Sequence, residues 1–448
     1  MRIVIARLLA VAIAIMAMTL YTPGAQAQGR SISLIRDAET EALVADYAAP
    51  LFAAAGLDPA AVDIVIVNDR NFNAFVAGGQ RLFVNTGLLV QSRDPLKVIG
   101  VLAHETGHIA GGHLARMREV MRDATTMHIL ATILAGAAMV AGGRGATGTG
   151  GDPDVTQRFL LQYSRVQEQA ADQAGVNLLE ATGQSARGMM ETFEYLQGQE
   201  LLTTGRQSPY ARSHPLTADR IEFIRGHLER SRFTSVPAPP ELVRRQHRII
   251  GKLRGFIDPM GRTLQAYKPD DPSEEARIAR AVALHRNAAH DEALALVDGL
   301  IAQFPEDPYY RELKGQFLFE SGRPGPAVAA YREAVRLLPG APLLRIGLAQ
   351  ALLAGEGEAA AREALTQLSE ATRRETDYGL AWRLLAIAHG RLGDIGSAAL
   401  ALAEQALSEG RRGDAVQQAK RAQQLLATGT PGWLRAQDIE TTGRARRS

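Results

Sequence analysis

The sequence lacks cysteine altogether in 448 residues, which excludes a thiol nucleophile, a disulfide framework and a thiolate metal site. Aromatic residues make up only 5%. The 50 basic and 48 acidic residues leave a formal net charge of +2, so no strong field would attract nucleic acid. No apolar run reaches the length of about 20 residues that spans a membrane. What remains is a globular chain long enough for two or three domains of about 100–200 residues each.

The N-terminus has the pattern of a secretory signal peptide. Arg2 and Arg7 precede an apolar run over residues 8–20, and residues 25–27 read Ala-Gln-Ala, an A-x-A cleavage site. We expect cleavage after Ala27, with an uncleaved anchor as the alternative. Export of a long chain without cysteine predicts a location in a bacterial periplasm.

The next part of the chain predicts helices around a small sheet. Apolar spacing indicates a helix over residues 31–55, and the β-branched run 63–67 predicts a strand. Two apolar runs flank a Gly-Gly pair within residues 73–85, which is typical of a hairpin. Longer helices are predicted from about 95 to beyond 117 and over about 155–180.

Residues 127–141 form a strongly apolar stretch interrupted by Gly136. The stretch is too short for a membrane span, which needs about 20 residues. A buried helix, a lid, or an interfacial helix in peripheral contact with a membrane or an unfolded substrate all remain open.

The C-terminal part predicts a helical repeat. A Phe-Pro pair at 304–305 recurs as Leu-Pro at 338–339, a step of 34 residues, with Gly322 in the turn between two helical patterns. This is the period of a tetratricopeptide (TPR) repeat, whose stacked hairpins leave a groove for peptides or partner helices. We expect the following segments: a signal peptide at 1–27, a globular domain at 28–236, a linker with a lead-in helix at 237–272, a repeat domain at 273–430 and a C-terminal tail at 431–448.

The segment that decides the chemistry is His104-Glu105-x-x-His108. Residues four apart lie on one helix face, about 5–6 Å from each other, so the two histidines can bind one metal ion. Glu105 lies about 100° around the helix, beside the metal, where it can accept a proton from water. The apolar run before His104 predicts a buried helix and a dry site.

A catalytic zinc site needs a third protein ligand and an open position. His113 falls one residue short of the metzincin spacing, and His128 has no supporting pattern. Glu168 lies on the second predicted helix, with Asp172 four residues further on. One carboxylate could bind zinc while the other accepts the second N–H of a ligating histidine. We favour Glu168.

These motifs resemble the gluzincins, and more narrowly the metallopeptidases related to HtpX and the CAAX prenyl proteases. Further matches are Asn73-Ala-Phe, Ser164-Arg165 and His214-Pro-x-x-x-x-Arg220. Signal peptide, catalytic domain and C-terminal repeats together resemble the BepA-type periplasmic proteases. The resemblance covers nearly the whole predicted mature chain, and it is more specific for the catalytic motifs than for the repeats.

The resemblance implies a mostly α protein: a gluzincin-like α+β catalytic domain with a small sheet, followed by an α-helical TPR solenoid. It implies one zinc ion bound by His104, His108 and Glu168, with Glu105 as the catalytic acid and base. Asp172 would orient His104. Arg220 would be an oxyanion-stabilising or structural residue. His214 is open between three roles: a gate that fills the fourth zinc position, a donor to the tetrahedral intermediate, or a structural histidine.

The resulting hypothesis is a zinc endopeptidase that acts on misfolded or stalled outer-membrane proteins, with the repeats recruiting it to the β-barrel assembly machinery. No nucleic acid is expected. The strand around residues 81–85 could pair with an extended substrate. The alternative is a chaperone or adaptor that works mainly through the repeat groove. Client, cleavage preference, oligomeric state and source organism do not follow from the sequence.

Overall fold

The computed structural model describes residues 33–78, 80–113, 115, 116, 119, 153–200 and 209–445. The predicted signal peptide, the apolar stretch 127–141 and His128 lie outside these residues. In the described part, no helix is both long and apolar enough to cross a membrane.

A four-stranded mixed sheet forms one layer of the N-terminal part. Its strands are β1 (Leu34–Ile35), β2 (Asp63–Val67), β3 (Ala74–Ala77) and β4 (Arg81–Asn85). The order is β1-β2-β4-β3, with β2 parallel to β4 and the other two pairs antiparallel. The predicted strand 63–67 and the hairpin are confirmed, and Gly78 takes the left-handed conformation (φ 62°) that the tight turn requires.

This sheet order corrects one expectation about substrate pairing. We expected the strand at residues 81–85 to be available to a substrate, but β4 is hydrogen-bonded to β2 on one side and to β3 on the other. An extended substrate can add only at a sheet edge, because there the main-chain groups are not already paired. The edge strand beside β4 is β3.

The described residues of the N-terminal part include seven helices, and two more lead into the repeats. The seven are α1 (Ala38–Ala54), α2 (Thr86–Gln91), α3 (Pro95–Ala110), α4 (Pro153–Ala181), α5 (Arg187–Glu200), α6 (Pro209–Ser213) and α7 (Ala218–Arg230). The two are α8 (Pro240–Ile257) and α9 (Met260–Ala266). One apolar core joins α1, the sheet, α3, α4 and α5, and Ile249 and Leu253 of α8 belong to it.

Two helix boundaries differ from the sequence prediction. The first helix begins at Ala38, because Asp37 caps it by accepting a hydrogen bond from Thr40 N (2.8 Å). The residues before it pair with β2 as β1. The helix that starts at Pro95 ends at Ala110, and the left-handed Gly112 (φ 61°) follows.

The C-terminal part is a stack of five helical hairpins. Their helices are α10 (Glu274–Arg286), α11 (His290–Gln303), α12 (Pro308–Glu320), α13 (Pro324–Leu337), α14 (Pro342–Ala354), α15 (Glu358–Thr372), α16 (Gly379–Arg391), α17 (Ile395–Ser408), α18 (Arg412–Leu425) and α19 (Pro431–Ala445). The first helices of the first three hairpins begin at 274, 308 and 342, so the predicted 34-residue period is confirmed. Tyr331 fits between Gly315 and Gly347 of neighbouring hairpins, where an added Cβ would approach its ring to 2.7 and 2.6 Å.

Residues 431–445 form a helix where the sequence suggested a tail. Ala436 and Ile439 of α19 are buried against alanines of α17 and α18, and this apolar contact fixes the segment as half of the last hairpin. The other segment boundaries stay predictions.

Candidate metal centre

Helix α3 carries three of the predicted site residues into the core. Asp94 caps the helix and Pro95 starts it, which favours a sharp N-terminus. The turns before His104 are buried, and His104 and Glu105 are themselves 2% and 1% exposed. The buried HExxH helix that the sequence predicted is therefore present.

Helices α3 and α4 approach each other closely because small residues line the crossing. A Cβ added to Gly107 would lie 2.7 Å from the carbonyl oxygen of Ala171, and one on Gly175 would lie 3.2 Å from the backbone of Ala103. These contacts are to backbone atoms, which cannot rotate away. The crossing brings Glu168 and Asp172 of α4 opposite the histidines of α3.

Gly107→Ala should therefore destabilise the protein by about 1–3 kcal/mol, as overpacking does, and weaken metal binding because the two helices must separate. The matched control is Gly299→Ala on α11, where an added Cβ meets nothing within 4 Å. That control should be neutral or stabilising by up to about 1 kcal/mol. Denaturant unfolding and metal titration of both variants check the prediction, and equal stabilities would contradict it.

Four possible ligand atoms of His104, His108 and Glu168 lie close together. The Nε2 atoms of His104 and His108 are 3.1 Å apart, and each lies 3.3 Å from a different carboxylate oxygen of Glu168. With bonds of about 2.0–2.1 Å, neighbouring donors around a tetrahedral zinc ion lie about 3.3–3.4 Å apart. The spacings are therefore close to those that a tetrahedral metal ion requires.

The protonation of His104 also fits a metal ion. Its Nδ1 lies 2.8 Å from Asp172 Oδ1, so the carboxylate accepts from Nδ1–H and Nε2 is the ring atom that faces the centre. There it lies beside the Nε2 of His108 and, at 3.2 Å, the Nδ1 of His214. A metal ion bound between these nitrogens would take the place of the proton on His104 Nε2.

Asp172 is in turn held by Arg220. Arg220 Nε lies 2.5 Å from one carboxylate oxygen of Asp172, and Nη2 lies 2.9 Å from the other. Nη1 contacts Glu168 Oε2 (3.0 Å) and donates to the carbonyl oxygen of Pro215 (2.8 Å). The guanidinium is 2% exposed, and these contacts favour the structural role for Arg220 over direct contact with a substrate.

His214 joins the cluster from the short loop after α6. Its Nδ1 lies 3.1 Å from both oxygens of Glu168, and its Nε2 lies 3.4 Å from Glu105 Oε1. One ligand atom each of His104, His108, Glu168 and His214 lie within 4.8 Å of one another. His214 therefore has the position of a fourth ligand.

Glu105 lies beside this cluster with an unused acceptor. Oε1 of its carboxylate is buried and has no hydrogen-bond partner in the part of the chain that the structure describes. Burial raises the pKa of this carboxyl, although the nearby His214 and His104 oppose the shift. A buried carboxylate oxygen that makes no hydrogen bond and lies beside the candidate metal centre is placed to take a proton from water.

The surroundings shift the pKa values of the other groups in different directions. Burial lowers the pKa of His108 to about 4, which keeps it neutral. Burial also acts to lower the pKa of His104, but the hydrogen bonds to Asp172 and Glu168 outweigh it and raise the pKa to about 10. Burial would raise the pKa of Glu168, yet the facing histidines hold it well below its usual range.

Of the two alternative third ligands, one can be placed. His113 Nδ1 lies 2.9 Å from His108 Nδ1, the ring nitrogen that points away from the centre. His113 therefore contacts a candidate ligand from outside and is not part of the four-residue cluster. His128 lies outside the described residues.

Sequence reasoning missed Tyr210. This residue on α6 is 3% exposed, and its ring packs against that of His214 with centroids 4.4 Å apart. Phe72 supports the other side of Tyr210 at 5.8 Å. No motif marks Tyr210. The one signal in the sequence that could have drawn attention to it is its position four residues before His214.

Comparison with known proteins agrees with this site. Residues 35–228 match the family described as Peptidase family M48. The chain carries an M48 metallopeptidase domain. It is 25% identical over 327 residues to a protein of Yersinia pestis named beta-barrel assembly-enhancing protease, covering 72% of this chain and 66% of that one. It is 26% identical over 358 residues to the protein of the same name from Escherichia coli K12, covering 78% and 72%.

Among solved structures, the TPR protein YrrB is similar with a TM-score of 0.32 and 16% identity, covering 39% of this chain and 91% of that one. The M48 domain is a metalloendopeptidase domain, and the centre formed by α3 and α4 is suited to a divalent metal ion. The chain spans about two thirds to three quarters of the two named relatives.

Proposed function

We propose that the chain is a zinc-dependent endopeptidase of the periplasm that cleaves misfolded or stalled outer-membrane proteins. The observation that carries the proposal is the close approach of the His104, His108 and Glu168 ligand atoms, 3.1–3.3 Å apart, next to the Glu105 carboxylate, whose Oε1 makes no hydrogen bond among the described residues. The substrate class is suggested by the relatives, which are named for enhancing β-barrel assembly. The predicted signal peptide supports the location.

Each residue has a defined task in this mechanism. His104, His108 and Glu168 would hold one zinc ion, which would supply Lewis acidity and lower the pKa of the attacking water towards neutrality. Glu105 accepts the proton of the attacking water and then delivers it to the leaving amine. Asp172 and Arg220 keep His104 in the tautomer that presents Nε2 to the centre.

The substrate backbone would be held by the edge strand β3. Strand β3 is paired with β4 on one side and has no strand on the other among the described residues, and it packs on the HExxH helix α3. Main-chain pairing at an edge needs no particular side chains, so it suits unfolded β-strands as clients. The repeats would recruit the client or the assembly machinery.

The experiment that tests the proposal is Glu105→Gln. The variant keeps all three proposed ligands and removes the base, so cleavage of an unfolded outer-membrane protein should fall about 10²–10⁴-fold while zinc content stays at one per chain. Glu194→Gln, at an exposed acid on α5, is the matched control and should keep full activity.

The same variant separates the proposal from the chaperone or adaptor alternative. If Glu105→Gln supports envelope integrity as well as the parent protein does, cleavage is not the main task and the alternative is correct. If cleavage persists at the parental rate, Glu105 is not the base and the mechanism is wrong.

A further inference from the structure

A group of six charged residues, three of them buried and three half-buried, lies where the repeats meet the N-terminal part. We call it the ionic junction. Its members are Asp37, Glu39, Arg248, Lys252, Asp307 and Glu312. The side chains of Arg248 and Lys252, both on α8, are only 2% and 4% exposed. Removing one partner of an ion pair this far from water is strongly destabilising, because the other charge is left buried and uncompensated.

The junction joins three separate segments of the chain. Arg248 Nη2 lies 2.8 Å from Glu39 Oε1 on α1, and its Nη1 lies 2.5 Å from Asp307 Oδ2 before α12. Lys252 Nζ pairs with Asp37 and lies 3.4 Å from Glu312 Oε2 on α12. Both cations of α8 therefore bridge the start of α1 and the second repeat hairpin.

The charges on the two sides are not equivalent. Asp37 and Glu39 already balance Arg248 and Lys252, so the half contributed by α1 and α8 is neutral by itself. Asp307 and Glu312 from the repeats add two further carboxylates. Asp307 makes a close contact with Arg248, whereas Glu312 is only loosely paired and faces the carboxylates of Asp37 and Glu39.

We propose that Arg248 and Lys252 are positioning residues: they dock the repeat domain on the peptidase domain through Asp307, and an ionised Glu312 opposes this docking. The consequence for large substrates rests on the proposed function, because a client bound by the repeats is presented to the cleft only if the two parts keep a fixed relation. The docking itself does not depend on proteolysis.

The titration of Glu312 supports the opposing role. Burial raises its pKa to about 7, beyond the opposing effect of Lys252, and the negative charges of Asp37 and Glu39 act in the same direction as burial. Tyr331 of α13 is the other titratable group that faces Glu312. The docked state thus holds a proton that an undocked Glu312 would release near its ordinary pKa of about 4.5. Docking should weaken by up to about tenfold per pH unit as the pH rises towards 7.

Two substitutions near the start of α12, one at Asp307 and one at Glu312, distinguish this inference from a merely structural role. Asp307→Asn keeps a good N-cap for α12 but loses the charge that attracts Arg248, so docking should weaken at every pH. Glu312→Gln removes the surplus charge, so docking should strengthen at pH 8 and lose its dependence on pH. Glu363→Gln, in an ion pair with Arg332 elsewhere in the repeats, is the control and should change nothing.

The measurement uses the full chain. Because the sequence has no cysteine, two cysteines introduced at the exposed positions Ala53 and Thr366 can carry spin labels for a distance measurement. At pH 5.5 and at pH 8, two urea midpoints are compared: the one at which the docked spin-label distance is lost and the one at which helical circular dichroism is lost. The first midpoint, relative to the second, measures the stability of docking. If Asp307→Asn and Glu312→Gln shift the midpoint for loss of the docked distance in the same direction, the inference is wrong. It is also wrong if Glu312→Gln keeps the parental dependence of that midpoint on pH.

A kinetic measurement checks the positioning role separately. For Asp307→Asn, kcat/KM on a short peptide should stay within about twofold of the parent, whereas on an unfolded protein it should fall at least fivefold. If Asp307→Asn and the parent have equal kcat/KM on the unfolded protein, the positioning role is wrong. A parent chain that docks as described but cleaves neither substrate would instead refute the proposed function and leave the docking inference standing.

Discussion

Glu168→Ala should lose most of the bound metal, while His113→Ala should keep it. Each carboxylate oxygen of Glu168 lies 3.3 Å from one of the two histidine nitrogens, and the loss of Glu168 leaves two imidazoles that hold zinc weakly. His113 contacts only the outer nitrogen of His108, so its removal leaves all three donors in place. Mutation of a residue that merely orients a ligand lowers metal affinity by about 10–100-fold. Removal of Glu168, a ligand itself, should therefore lower metal affinity by more than about 100-fold.

Elemental analysis of the purified protein, with one zinc expected per parent chain, measures the effect, and circular dichroism shows whether each variant folds. The reverse result, with metal lost from His113→Ala and kept by Glu168→Ala, would assign the third ligand to His113. It would also contradict the gluzincin arrangement.

The part of the site that the sequence predicts best is the part that depends on local spacing. His104 and His108 lie on one helix face, as Glu168 and Asp172 do, because a separation of four residues fixes this in any α-helix. The repeat period is equally local, since each hairpin is one structural unit that recurs every 34 residues. Such features need no knowledge of how distant segments meet.

What the sequence could not predict depends on distant contacts. The pairing of β4 on both sides follows from the parallel contact with β2, which no local pattern encodes. The packing of Tyr210 on His214 and the meeting of Arg248 with Asp307, 59 residues apart, likewise require the tertiary fold. A buried arginine in a polar helix looks like any exposed arginine until its neighbours are known.

His214→Ala should raise self-cleavage and basal proteolysis. In this structure the His214 Nδ1 lies 3.2 Å from His104 Nε2 and 3.1 Å from both oxygens of Glu168, so it fills the fourth corner around the centre. If His214 is a gate, its imidazole occupies the place that the attacking water needs and keeps the enzyme closed and latent. Arg220, which donates to the carbonyl oxygen of Pro215 (2.8 Å), would then hold the closed state.

The competing role for His214 predicts the opposite sign. If His214 donates a hydrogen bond to the tetrahedral intermediate, its removal should lower the rate by about 10²–10³-fold with zinc retained. A merely structural histidine predicts lower stability and no specific change in rate. Proline after His214 disfavours the helical conformation, and the residue lies in the loop between α6 and α7, where a gate could change position.

The experiment compares His214→Ala with the double variant His214→Ala/Glu105→Gln. A gate predicts that the single variant degrades itself and an unfolded substrate faster than the parent, and that the double variant abolishes both effects because the extra cleavage still needs the Glu105 base. Tyr210→Phe serves as a packing control, since it keeps the ring that contacts His214 at 4.4 Å and should leave the closed state intact. Reduced cleavage by His214→Ala at full zinc content would rule out the gate, since only a group that assists the reaction slows it when removed.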